Sequence, residues 1–151
     1  MAVKMPRRPV AKAAPAAEND LDVLHPERMV VLAGKPVTVR EYGHIEWMRL
    51  QAVAAPLVAA LAAMLDAGQE PTYEQALAVM AQNIDALAPL VMQAADMTPF
   101  AFDSLKPDDG ELLMMTWWGC NGLFFVRRAL NKVAVARAEA ARSAGARSTP
   151  P

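Results

Sequence analysis

In "LLMMTWWGCNGLFFV", residues 112–126, only Thr116 and Asn121 are polar. A helix built from this run is apolar around its whole circumference, so every side of it needs cover. A membrane is a poor source of that cover. Fifteen residues make about 22 Å of helix at 1.5 Å per residue, short of the ~30 Å hydrocarbon core. Arg127 and Arg128 do stand where a cytoplasmic flank would, but the length disfavours a span. The cover must come from the rest of the chain or from another chain.

The rest of the chain is helix-forming. Alanine is the commonest of its 151 residues and glycine is sparse, at seven; alanine loses no side-chain entropy on coiling. This length suits one domain. Charge is unevenly placed. Residues 1–20 carry four basic and two acidic groups, residues 21–126 five and thirteen, and residues 127–151 six and one. An acidic body therefore lies between two basic arms. The first arm has no continuous apolar segment of the secretory kind and reads as disordered, in a cytoplasmic protein. A single cysteine, Cys120, forms no internal disulfide and implies no oxidising compartment.

Local signals divide residues 21–141, one domain, into a hairpin and three principal helices. "RMVVLA" and "PVTVRE" are β-branched runs on either side of Gly34 and Lys35, a hairpin over 28–41. A lone hairpin is marginal in water, so it rests on helices or on another chain's sheet. Residues 42–66 form the first helix, with Trp47, Leu50, Ala54, Leu57, Leu61 and Met64 on one stripe and a kink expected before Pro56. Residues 72–94 form the second, capped by Thr72, with Tyr73, Leu77, Met80, Ile84, Leu87 and Val91 as a seam and Pro89 bending its last turn. A short element follows, opened by Thr98 and Pro99. The third helix spans 108–141, starting at Asp108 and kinked between Gly119 and Gly122. Residues 142–151 are a disordered tail. The fold class is mainly α, with disordered basic termini.

No catalytic pattern emerges. His25, His44 and Cys120 are the whole nitrogen and sulfur ligand set and lack metal-site spacing. Cys120 sits in an apolar run, where burial makes a thiol inert. Asp108 and Asp109 are explained by a helix start. Gly34 and Lys35 belong to a turn and not to a phosphate loop. The basic end has no reading motif for nucleic acid, and the acidic body repels phosphate. Neither enzyme, cofactor, metal nor nucleic-acid binding is expected.

Association is what remains. The chain has two other principal helices and a hairpin to cover the 112–126 helix, too few to close its circumference. Aromatics, methionine and arginine are enriched at interface centres. The candidate contact residues are Trp117, Trp118, Leu123, Phe124, Phe125, Arg127 and Arg128, with Trp47 and Tyr73 from the other helices. The ten methionines suit an adaptable surface.

The segments "LHPERMVVLAGKPVTVREYG" and "LLMMTWWGCNGLFFVRR", with the helical middle between them, resemble small proteins from the tail gene clusters of Mu-like and related bacteriophages. The resemblance covers roughly residues 21–130. Proteins of this size and layout encoded ahead of the tape-measure gene act as tail assembly chaperones, which keep the helical tape-measure protein soluble while the tube forms. The resemblance implies a non-enzymatic factor in the infected host's cytoplasm that self-associates and binds the tape-measure protein or another tail protein. It carries over no site residue. A structural virion subunit and a basic-tailed nucleic-acid binder are the alternatives.

Overall fold

The computed structural model describes residues 27–147. Among them, in chain order, are β1 (Arg28–Leu32), β2 (Lys35–Val39), α1 (His44–Asp66), α2 (Tyr73–Gln82), α3 (Ile84–Ala95), α4 (Pro99–Asp103) and α5 (Pro107–Ala146). The mainly helical fold with an N-terminal hairpin is as expected. The basic arm 1–20 and the last residues of the tail lie outside the described residues.

β1 and β2 run antiparallel, with Arg28 opposite Val39 and Leu32 opposite Lys35. The loop is Ala33 and Gly34, one residue earlier than the sequence suggests, and both hold positive φ, 50° and 78°. Two positive-φ residues give the twist that closes a two-residue hairpin. Gly34 adopts it freely, whereas the Cβ of Ala33 costs roughly 1–2 kcal/mol there. Leu32 and Val39 are buried, and Val30 and Val37 pack partly beside them. Met29 and Val31 point outward. The hairpin thus rests on α5 and α3 of its own chain.

α1 buries the expected stripe of Trp47, Ala54, Leu57, Leu61 and Met64, and continues through Pro56. The expected second helix is two helices, broken at Asn83. The Asn83 side chain donates to Val79 O at 2.8 Å, and its own amide turns to Met80 O instead. A short amide side chain competing for the backbone in this way breaks the ladder. Pro89 lies inside α3, which runs on to Ala95. Of the expected seam, Met80, Leu87 and Val91 are buried, while Leu77 and Ile84 are exposed. Thr98 and Pro99 open α4 as expected, with Thr98 Oγ1 accepting from Ala101 N at 3.2 Å.

α5 begins one residue before the expected start. Lys106 holds the cap position, Pro107 the first turn, and Asp108 and Asp109 follow where they complement the dipole. Its 40 residues span about 60 Å. The expected kink does not interrupt it at Gly119 or Gly122, and it passes the expected end by five residues, to Ala146. The supposed tail therefore starts as helix.

Between hairpin and α1, residues 40–43 cross the C-terminal end of α3. Arg40 N donates to Ala94 O at 3.1 Å and Arg40 Nη2 to Gln93 O at 3.2 Å, satisfying carbonyls that a helix end leaves orphaned. The same guanidinium grips Glu46 with two 2.7 Å bonds. Glu46 also accepts from Gly43 N at 3.1 Å, which closes the start of α1, and from Gln93 Nε2. Chiefly through the Arg40 hydrogen bonds, its carboxyl is lowered from 4.5 to about 2. A depressed acid stabilises the fold fully above its unfolded value and loses that contribution as pH falls toward the folded one. Solvent screening reduces the effect to on the order of 1–2 kcal/mol. Urea midpoints measured from pH 6 downward are expected to drop between about pH 4.5 and 2. Glu46→Gln is expected to lower the neutral-pH midpoint and flatten that part of the profile; an unchanged profile would show the pair to be energetically idle.

Candidate interaction surface

The central stretch of α5 divides into faces with separate tasks. Trp117, Cys120 and Asn121 stand at i, i+3 and i+4 and so share one side of the helix. That side meets the backbone leaving the hairpin. Cys120 Sγ donates to Val39 O at 3.6 Å, and Asn121 Nδ2 to Arg40 O at 3.1 Å. Trp117 Nε1 donates to Tyr42 Oη at 2.9 Å, and Tyr42 in turn donates to Leu90 O of α3. Burial raises the Tyr42 hydroxyl and the Cys120 thiol. The thiol is a structural donor rather than a nucleophile.

Trp117 and Phe125 are fully buried and Trp47 nearly so. This removes three of the sequence's contact candidates from the surface. The 112–126 helix finds most of its cover within the chain because the aromatic side chains pack on one another. Phe125 is the hub, with ring centroids 5.3 Å from Trp117, 5.7 Å from Trp47, 5.6 Å from Phe124 and 6.4 Å from Tyr42. Three of these four contacts are edge-to-face, the arrangement ring quadrupoles favour.

The glycines make room. A Cβ on Gly122 would lie 2.7 Å from the Trp118 ring, and one on Gly119 would lie 2.7 Å from the Arg28 guanidinium. The first obstacle is a packed indole, the second the end of an exposed, flexible side chain. Gly119→Ala is therefore expected to be neutral or to stabilise by up to ~1 kcal/mol through helix propensity. Gly122→Ala is expected to cost about 1–3 kcal/mol and to shift tryptophan emission as Trp118 moves. Equal urea midpoints for the two variants would sink this assignment.

The remaining candidates are scattered. Leu123 is 64% exposed, Arg127 and Arg128 are exposed, and Trp118, Phe124 and Tyr73 are half-buried. Trp47, Leu123, Phe124 and Arg127 do meet, with Tyr42, His44 and Glu41, around a hollow of about 280 Å³. Arg128 lies over the Trp47 ring at 5.3 Å. Tyr73 is remote, on α2, and its buried hydroxyl finds no hydrogen-bond partner among the described residues. Among the described residues no three His, Cys, Asp or Glu side chains gather as a metal site.

The larger apolar surface is on α1. Ile45, Met48, Ala52, Pro56, Ala59 and Ala63 recur at +3, +4, +4, +3 and +4, a second stripe turned away from the core. Val53 and Ala55 flank it, and Arg49 is the one charge among these exposed positions. Among the described residues, α1 is the one helix long and apolar enough to cross a membrane by length and composition. Only 28% of its most apolar window is buried, so most of that surface has no partner among the described residues. The 112–126 run drew the sequence reading away from this face. Its signal was present as the second +3/+4 series on a helix already assigned.

A family of unknown function, DUF6631, matches residues 20–151, and the chain belongs to it. No curated protein and no solved structure matches the chain.

Proposed function

We propose that the protein is a bacteriophage tail assembly chaperone, a non-enzymatic factor that binds and solubilises the tape-measure protein in the cytoplasm of the infected host. The observation that carries this reading is the outer face of α1. A solvent-facing stripe from Ile45 to Ala63, about 27 Å long at 1.5 Å per residue, suits the apolar side of a client helix. Alanines at 52, 55, 59 and 63 let the client backbone approach closely, while Ile45, Met48 and Val53 supply apolar contact area. Arg49 favours a client helix with an acidic residue beside its apolar stripe. The resemblance of the hairpin and the 112–126 region to tail-cluster proteins supplies the identity of that client.

The length of α1 gives a second reading, attachment of the same face to a bilayer. Full insertion would strip Trp47, Leu57 and Leu61 from the core, so it favours at most a surface contact.

Co-expression with the tape-measure protein separates the two. The client is expected to stay soluble and to co-elute with this chain. Met48→Glu and Ala52→Glu, both exposed, are expected to abolish co-elution while changing stability by no more than ~0.5 kcal/mol. A client equally soluble without this chain, with no complex in size exclusion, would end the chaperone reading. Flotation of the chain with lipid vesicles would favour the second.

A further inference from the structure

The two ends of α5 differ in charge and in shape. Near its start lies an apolar groove of about 330 Å³ between α2, α3, α4 and the first turns of α5, lined by Leu77, Ile84, Leu87, Phe102, Leu105 and Met114. Leu77 and Ile84 stand partly exposed on it, and the adjoining Phe100 is 82% exposed. Lys106 also lines the groove, while Asp85, Asp103, Asp108, Asp109 and Glu111 each adjoin a lining residue in sequence, so the segments that build the groove are net acidic. The far end is the reverse. From Arg127 to Arg147 there are six basic groups and only Glu139 as an acid. Beyond Ala129 this part of the helix is exposed on nearly every side, and only Val133 is half-buried. Leu130, Ala134, Ala138 and Ala141 recur at +4, +4 and +3, an apolar stripe with Arg127 and Arg142 alongside, while Arg137 is paired with Asp66 of α1 at 2.7 Å.

We propose that the basic distal half of α5 docks in the acidic, apolar groove of a second copy of this chain, so that copies join head to tail. The groove takes an amphipathic helix, and its acidic border selects a basic one. The chain's own distal helix has both properties. It cannot reach its own groove: Gly110 and Ala138 are 28 residues apart on one continuous helix, about 42 Å. The contact is therefore intermolecular. It is also heterologous, since groove and helix are different surfaces, and such contacts grow into open chains or rings rather than stopping at a dimer. The proposal does not depend on the identity of any client, because it involves only this chain.

Sedimentation velocity of the full-length protein tests it. At about 0.05 M salt the mass is expected to rise with concentration, and at about 0.5 M the species is expected to return toward monomer as the charges are screened. Two exposed-site variants give the sharper test: Ile84→Glu in the groove, and Leu130→Glu with Arg142→Glu on the distal helix. Each alone is expected to stay monomeric at all concentrations, with an unchanged circular dichroism spectrum. Mixed in equal amounts they are expected to form a one-to-one dimer and grow no further, because each retains the surface the other lacks. A wild-type chain that is monomeric at low salt would overturn the proposal. So would a closed dimer that persists in either variant, or a mixture in which the two variants ignore each other.

Discussion

Three donors on one side of α5 hold the fold together. Trp117, Cys120 and Asn121 reach the backbone or the tyrosine of residues 39–42, where the chain leaves the hairpin for α1. That segment is extended, so its carbonyls have no partners in a helix of their own. Left buried and unpaired, each would cost about 1–3 kcal/mol. With these bonds made, the segment becomes a strut. It fixes the hairpin against α5, and through Arg40 it also caps the end of α3, while Tyr42 bonds Leu90 O within that helix. The position of α1 follows, because the segment ends in the Gly43–Glu46 start of that helix.

The same arrangement explains the unusual density of aromatic residues in a chain that is only 6% aromatic. Phe125, Trp117 and Trp47 fill the space where α1, α5 and the strut converge. Alanine-rich helices pack closely along their length but leave a wide gap where a third element enters, and large flat rings fill it. The polar and aromatic parts of the region are coupled, since Trp117 contributes its ring to one and its N–H to the other. A conservative Trp117→Phe change would keep most of the packing and still leave Tyr42 with one fewer partner.

Fold class, the hairpin, the inner stripe of α1 and the Thr98 start of α4 were all legible, because each depends on neighbours in sequence. The break at Asn83 was not. It turns on a side-chain hydrogen bond to Val79 O that competes with a strong apolar repeat, and repeats alone do not show the winner. Three of the nine candidate contact residues, Trp47, Trp117 and Phe125, are buried for a related reason. All-round apolarity in 112–126 says that cover is needed but not where it comes from, and here aromatic self-packing supplies most of it. Asn121 read only as a polar interruption of an apolar helix and Cys120 only as a buried, inert thiol, but their value lies in partners 81 residues away in sequence. The outer face of α1 passed unnoticed because alanine counts as core or as surface with equal ease.

The 40-residue length of α5 also governs how the molecule moves through water. A compact body of this size would be about 35 Å across, whereas the helix alone measures about 60 Å. A particle with such an axial ratio drags more solvent and tumbles more slowly than a sphere of equal mass. A single chain would then elute from a sizing column, or relax in fluorescence anisotropy, as though it were larger than it is. Only methods that weigh the particle will distinguish an elongated monomer from a genuine pair.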